Sequence, residues 1–336
     1  MPQPLISVLM PVYNAQETLE EAIHSVLEQD LEDFELVAVD DGSTDGTAEI
    51  LETLAARDNR LRSIHRPHTD LLQTLNAGIE ACRGRYLARM DADDLSAPSR
   101  LSKQVELLET TPDVGVVGCL VRCIPPEAIL EGYRRYEEWV NRLRSPEDIS
   151  REIYIECPIV HPTAMMRTEQ LRALGGYQDL GWAEDYDLFL RCHLGGMALS
   201  KVPEVLYYWR DSPNRLTRTD RRYSITNFMR CKAHYLAQGP LRDVKRVMIW
   251  GTGTLGKILG RALRREGRPP WRYVDINPRK IGKEKQGVPV IGPDDLPPAG
   301  ETFLLACVRT LGARDEIRSA ARAAGYTEGK DFLCVA

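Results

Sequence analysis

Two aspartate-rich turns concentrate chemistry in this chain. Asp40-Asp41-Gly42-Ser43-Thr44-Asp45-Gly46-Thr47 follows one apolar run, and Asp91-Ala92-Asp93-Asp94 follows another. In the first, carboxylate acceptors and flexible glycines could hold a base and a ribose through hydrogen bonds. The second offers three carboxylates. If the D-x-D segment is extended, alternate side chains point the same way, so Asp91 and Asp93 share a side. Hard oxygen ligands favour Mg²⁺ or Mn²⁺, and such ions usually complete their shells with water and substrate phosphates. Together the turns predict a diphosphate carried with a divalent metal. Either alone would also read as a polar turn that caps a helix.

Three further groups could act beside them. Adjacent ionised carboxylates raise each other's pKa, which moves one of the Glu184-Asp185 pair toward the strength of a useful base. The same pair would also suit a helix N-terminus. Arg210 and Arg215 head an arginine-dense stretch, and guanidinium groups grip phosphate oxygens bidentately, so both are candidates for a diphosphate or a phosphate-bearing acceptor. His161, before Pro162 in a run that reads as a strand, is expected to be a satisfied core histidine. Near the C-terminus, Gly251-Thr252-Gly253-Thr254-Leu255-Gly256 follows one strand pattern and opens a helix, and Asp275 ends the next strand. That context suits a nucleotide: glycines allow close phosphate approach and the acid meets a ribose hydroxyl.

These groups need elements to hold them. Val- and Ile-rich runs at Leu5–Val12, Phe34–Val39, Leu61–Ile64 and Tyr86–Met90 predict strands, while Thr18–Gln29, Ala48–Arg57 and Leu71–Cys82 carry apolar residues at helical spacing. The alternation predicts an α/β protein with a doubly wound, parallel layer, whose ligands bind at the carboxyl ends of strands. From Pro98 the alternation loosens into the run Val114–Ile124, a helix over Tyr133–Arg144, a helix opened by Glu184 and ending near Gly195-Gly196, a strand Val205–Trp209 and a helix Tyr223–Gln238. Gly239-Pro240 is the expected boundary. Beyond it, strand Arg246–Trp250, helix Leu255–Glu266 and strand Trp271–Asp275 predict a smaller Rossmann-like α/β domain, giving domains 1–239 and 240–336.

Composition agrees with that organisation. A length of 336 residues corresponds to about two domains. With 43% hydrophobic and 28% charged residues, the chain is neither disordered nor fibrous. A net charge of −5 is no footprint for duplex nucleic acid, which needs a basic face. The longest apolar stretch, Val114–Ile124, contains Arg122 and falls short of the roughly 20 residues that span a bilayer. With no signal-peptide pattern at the N-terminus, a cytoplasmic protein is expected, any membrane contact being peripheral at the inner face. The eight cysteines form no C-x-x-C pair and read as reduced core residues.

Residues 5–210 resemble glycosyltransferase family 2, the inverting GT-A enzymes that use nucleotide-diphosphate sugars. The resemblance is carried, in the family's order, by Ser7-Val8-Leu9-Met10-Pro11-Val12-Tyr13-Asn14, the D-D-G-S-T-D-G-T turn, Leu75-Asn76-Ala77-Gly78 with Gly84-Arg85-Tyr86, the D-A-D-D turn, His161-Pro162-Thr163, Gly175-Gly176-Tyr177 and Glu184-Asp185-Tyr186-Asp187-Leu188. It implies that Pro11, Tyr13 and Asp41 line the base pocket with Asp40 beside it, that Asp91 meets the ribose and Asp93 the metal, and that Asp94 serves the acceptor side or supports the metal. Asp185 is implied as the base that takes the acceptor proton, with Glu184 its neighbour. Asp70 departs from the family by standing where many relatives have glycine, and is expected to cap the following helix. A UDP-sugar donor and a saccharide or lipid-linked acceptor in bacterial surface polysaccharide or glycolipid synthesis would follow. Two other readings stay open: an NAD-dependent oxidoreductase acting on a nucleotide sugar, and a non-catalytic nucleotide-sugar binder.

Overall fold

The computed structural model describes residues 3–212 and 215–336. The chain divides into two units, one made of residues 1–149, 158–180 and 184–215, the other of residues 150–157, 181–183 and 216–336.

In the first unit, β1 (Ile6–Val12), β2 (Phe34–Asp40), β3 (Leu61–His65) and β4 (Tyr86–Arg89) are the four expected strands. Every residue of β1 and β2 is buried, as strands covered on both faces by helices must be, and this is why they read as unbroken apolar runs. One covering helix, Leu19–Leu27, buries Leu19, Ala22, Ile23 and Val26, a single helical stripe. The unit continues through β5 (Leu95–Ser96), β6 (Val114–Ile124), β7 (Met165–Arg167) and β8 (Ala198–Arg210), and the strand order is β3-β2-β1-β4-β7-β6-β8-β5. Strands β1 to β4 are mutually parallel. Beyond β4 the sheet turns mixed, because β7 runs antiparallel to β4 and β6, and β5 antiparallel to β8. His161–Thr163 forms a 3₁₀ turn and not the strand expected there.

The second unit holds β9 (Val247–Trp250), β10 (Pro270–Val274), β11 (Glu284–Lys285), β12 (Val288–Ile291), β13 (Phe303–Ala306) and β14 (Phe332–Cys334), in the order β11-β12-β10-β9-β13-β14. Only β11 is antiparallel to its neighbour. The boundary expected at Gly239-Pro240 moves to 215/216, and the helix Ile225–Gln238 joins the second unit. The reason is a buried cation: Lys232, 2% exposed, donates from Nζ to the carbonyls of Ile155 (2.7 Å) and Val335 (3.0 Å). The segment 150–157 is tied into the same unit by Glu152, which is buried and paired with Arg318 and, at 3.7 Å, with Arg314. All eight cysteines are buried and unbridged. Among the described residues no helix is long and apolar enough to cross a membrane.

Candidate active site

The parallel strands of the first unit deliver their polar turns at their carboxyl ends. At the end of β2, Asp40 and Asp41 are both buried. Asp40 accepts from the Ser43 amide (3.1 Å) and hydroxyl (2.6 Å) and meets His65 Nδ1 at 3.1 Å, so its carboxylate is spent on shaping the turn. Asp40 thus stands beside Asp41 as a brace of the turn, and direct contact with a nucleotide is left to its neighbours. Asp41 accepts from the Thr69 amide and hydroxyl and pairs with His68 Nδ1 at 2.9 Å. Gly42 makes this closure possible, since it has φ +72° and a Cβ there would lie 2.6 Å from the His68 nitrogen. Asp70 caps the helix Leu71–Ala81 by accepting from the Gln73 amide at 2.8 Å, as expected. Pro11 is buried within β1, whereas the Tyr13 ring is 47% exposed and stacks on His68 with centroids 4.3 Å apart. Tyr13 and His68 thus present an aromatic face beside Asp41, and His68 carries no sequence signal that singled it out.

The second acidic turn differs from the extended segment expected. Residues 92–93 form a tight turn, and carboxylate oxygens of Asp91, Asp93 and Asp94 come within 4.8 Å of one another. Strand β8 clamps this turn. The Tyr207 hydroxyl donates to Asp94 (2.9 Å) and accepts from the Asp91 amide (3.2 Å), while the Arg210 amide donates to Asp94 (2.6 Å) and its Nε to the Asp93 carbonyl (2.7 Å). Asp94 is therefore fully buried with both oxygens engaged, which favours the support of the metal turn over the acceptor side among its two expected places. Arg210 likewise builds the turn and reaches Glu21 at 2.8 Å, where a phosphate grip was expected. Arg215 lies 4.0 Å over the Trp209 ring.

Electrostatics single out Asp93. Burial and the neighbouring charge of Asp91 raise its carboxyl to about 6, with Arg215 opposing. Asp94 is raised well above the usual range by burial and by Asp93 and Asp91. Clustered carboxylates with raised affinity for protons are short of positive charge, and an all-oxygen donor set suits Mg²⁺ or Mn²⁺. The residues present fit the expected ion.

Arg89 links this turn to the second acidic pair. Its buried guanidinium donates to Asp91, leaves Nε without a partner, and stays firmly protonated because the charge of Asp91 outweighs the cost of burial. His161 Nε2 lies 2.6 Å from the Tyr177 hydroxyl. Burial, reinforced by Arg89, pushes His161 well below its ordinary value, so it is a neutral core histidine. Tyr177 in turn feels Arg89, Glu184 and Asp185. The helix Glu184–Leu194 opens on that pair. Glu184 is 1% exposed, while Asp185 is part-exposed and accepts from the Tyr186 amide at 2.7 Å. Arg89 and Tyr207 both escaped the sequence reading, because an arginine or tyrosine in a strand carries no local mark of burial.

Gly251, Gly253 and Asp275 line a separate cavity in the second unit, and Gly256 packs behind it against the Gly251 carbonyl. Asp275 is taken by the Thr252 hydroxyl, by Lys280 Nζ at 2.8 Å and by the Asn277 amide at 2.9 Å. Burial would raise its carboxyl, but Lys280 and Thr252 hold it below the usual range. The ribose contact expected of it is thereby corrected to a brace for the glycine turn.

A parallel half-sheet ending in polar turns, continued by a mixed half that clamps a carboxylate cluster, is the GT-A architecture of glycosyltransferases. The same frame appears in S. aureus TarS 1-349, solved in complex with UDP-GlcNAc, with a TM-score of 0.58 at 21% identity over 77% of this chain and 72% of that one. It also appears in the mannosyltransferase PcManGT from Pyrobaculum calidifontis, in complex with GDP-Man and Mn²⁺, with a TM-score of 0.55 at 25% identity over 73% of this chain and 66% of that one. Residues 7–175 match the model of Glycosyl transferase family 2. The chain belongs to that family, and it is a glycosyltransferase. Relatives include a protein named glycosyltransferase EpsE of Bacillus subtilis, 34% identical over 67% of this chain and 79% of its own. Another is the amylovoran biosynthesis glycosyltransferase AmsE of Erwinia amylovora, 32% identical over 60% of this chain and 74% of its own. The oxidoreductase and non-catalytic readings give way to this assignment.

Proposed function

We propose that the first unit transfers a sugar, with inversion, from a nucleotide-diphosphate donor to an acceptor hydroxyl. The observation that carries this is the convergence of Asp91, Asp93 and Asp94 at the carboxyl edge of a parallel half-sheet, electrostatically linked through Arg89 and Tyr177 to the Glu184-Asp185 pair. The exposed Tyr13 ring and Asp41 receive the base, and Asp91 faces the ribose. Asp93 is the principal ligand for Mn²⁺ or Mg²⁺, which when bound supplies positive charge to the departing diphosphate. Of the acidic pair, Asp185 is the more accessible, and it takes the proton of the acceptor hydroxyl while Glu184 supports it from the core. Arg215, held over Trp209, is the remaining cation placed to meet the diphosphate.

The donor is a UDP-sugar by analogy with TarS, with a GDP-sugar as the competing choice from PcManGT. The acceptor is a saccharide or lipid-linked saccharide of a bacterial surface polymer, by analogy with the relative of amylovoran synthesis. The reaction then takes place in the cytoplasm, at the inner membrane face when the acceptor is lipid-linked. The test is a panel of UDP- and GDP-sugars with Mn²⁺, reading donor binding by calorimetry and donor hydrolysis or transfer by release of nucleoside diphosphate. Asp185→Asn keeps the shape and removes the basic lone pair. It is expected to keep donor affinity while turnover falls at least about a hundredfold. Normal turnover in Asp185→Asn would refute the assignment of the base.

A further inference from the structure

The second unit contains a cavity of about 500 Å³ that the transfer reaction does not use. That size is ordinary for a small-molecule site. It opens where β9, β10 and β13 end, and β9 has β10 on one side and β13 on the other, so the sheet order reverses there. Open α/β sheets bind ligands at such a point.

The three glycines of the turn after β9 have different reasons to be glycine. A Cβ at Gly251 would lie 2.7 Å from the Cys307 carbonyl, and one at Gly256 only 1.9 Å from the Gly251 carbonyl, so packing alone demands both. Gly253 is under no such demand. Its φ of −69° is ordinary, and a Cβ there would meet nothing within 4 Å. Gly253 lines the cavity and is itself exposed, so a side chain there would stand in open space beside it. The helix Thr254–Arg265 starts at this turn, and its first internal bond runs from the Lys257 amide to the Gly253 carbonyl at 3.1 Å. The amides of Thr254, Leu255 and Gly256 therefore precede the first helical donor, the Lys257 amide, and are left to outside partners, the arrangement that receives phosphate.

Charge and shape narrow the ligand. Arg309, on the opposite wall after β13, is exposed and has no hydrogen-bond or ion-pair partner among the described residues. Lys280, which is held by Asp275, and the exposed Glu316 also line the cavity; its apolar wall is formed by Trp250, Leu255, Val308 and Ile317, and Ile276 in the lining is 71% exposed. An anionic head and a flat apolar body fit this division. The acid that would receive a ribose diol in a dinucleotide site, Asp275, is already bound by Thr252, Asn277 and Lys280. Cys307, the thiol in the lining, is pushed up to about 12 by burial and is no nucleophile near neutral pH. The cavity is built to hold a molecule and not to transform it.

We propose that this cavity binds a mononucleotide, its phosphate seated on the amides that follow Gly253 and reached by Arg309, its base against the apolar wall. The inference is independent of the transfer reading, since it concerns residues of the second unit alone. The experiment is calorimetric titration of the full chain with UDP, GDP, ADP, CDP and NAD⁺, comparing wild type with Gly253→Val and Arg309→Ala. Gly253→Val fills open space and Arg309→Ala trims an exposed side chain, so both variants are expected to melt within a few degrees of wild type. At least one of the four mononucleotides should bind wild type and lose tenfold or more of its affinity in each variant. Binding of every nucleotide unchanged by Gly253→Val, or no mononucleotide binding at all, would overturn the proposal. Tighter binding of NAD⁺ than of any mononucleotide, abolished by Gly253→Val, would overturn the mononucleotide assignment. Should Gly253→Val fail to fold, Arg309→Ala decides the question alone.

Discussion

Replacing Glu35 by glutamine should destabilise the first unit in a pH-dependent way. Glu35 sits in β2, 3% exposed, and gathers five donors: the Ser7 hydroxyl (2.6 Å) and Arg83 amide (2.8 Å) on one oxygen, and Arg83 Nε (3.0 Å), the Arg83 terminal nitrogen (2.6 Å) and Arg62 (2.7 Å) on the other. Burial alone would raise the carboxyl, yet the donors outweigh it and hold the group at about 2, against an ordinary 4.5. A depressed carboxyl stabilises the fold above its unfolded value and loses that contribution as pH falls through the folded one. At 1.36 kcal/mol per unit the difference corresponds to about 3 kcal/mol as an upper bound. Arg83 and Arg62 are 42% and 34% exposed, so water screens them and about 1.5–2 kcal/mol is the better expectation. Urea unfolding of the full chain, wild type against Glu35→Gln, should show this gap unchanged between pH 8 and 6. By pH 3.5 roughly two fifths of it should be gone. A gap of constant size down to pH 3, or no gap at pH 7, would refute the reasoning.

Asp93→Ala should abolish the Mn²⁺-dependent part of donor affinity and leave the fold intact, which calorimetry with and without EDTA reads directly. Gly84→Ala places a Cβ 2.3 Å from the Ser7 nitrogen, a backbone atom that cannot swing away, and should cost about 1–3 kcal/mol in urea unfolding. A chain cut after Gln238 keeps the helix Ile225–Gln238 but loses Val335, the partner of Lys232. Met229, Tyr235 and Leu236 on that helix are buried in the whole protein, so the shortened chain should elute as aggregate in size-exclusion chromatography.

What the sequence made legible follows from where each element finds its partners. Strands β1 and β2 announce themselves because burial on both faces demands unbroken apolar residues. The Asp40 and Asp91 turns stand out because they interrupt those runs with carboxylates. Strands β5 and β7 are two and three residues long, and exist by pairing with β8 and β4, as Leu95 with Tyr208 and Ala88 with Met165. No local pattern encodes a partner so distant along the chain. The same holds for the clamp on the acidic turn, since Tyr207 and Asp94 are 113 residues apart. The sequence showed which carboxylates were present but not which donors each would meet, such as Ser43 on Asp40, Tyr207 on Asp94 and Lys280 on Asp275. The expected boundary at Gly239-Pro240 failed for a related reason, as turn residues mark the end of a helix and not the unit to which that helix belongs.

The pairing of Glu152 with Arg318 also sets a clock on synthesis. The two residues are 166 apart, so a ribosome adding roughly 5–20 residues per second makes the carboxylate wait about 8–30 s for its guanidinium. Within that interval the first unit's chain is completed at Arg215, whereas residues 150–157 have emerged before it and belong to the second unit. The nascent chain must carry this carboxylate without Arg318, hydrated and open to competing contacts, until residue 318 has been added. A recombinant that exchanged residues 216–336 at one junction would part Glu152 from Arg318, so residues 150–157 would have to move with the second unit.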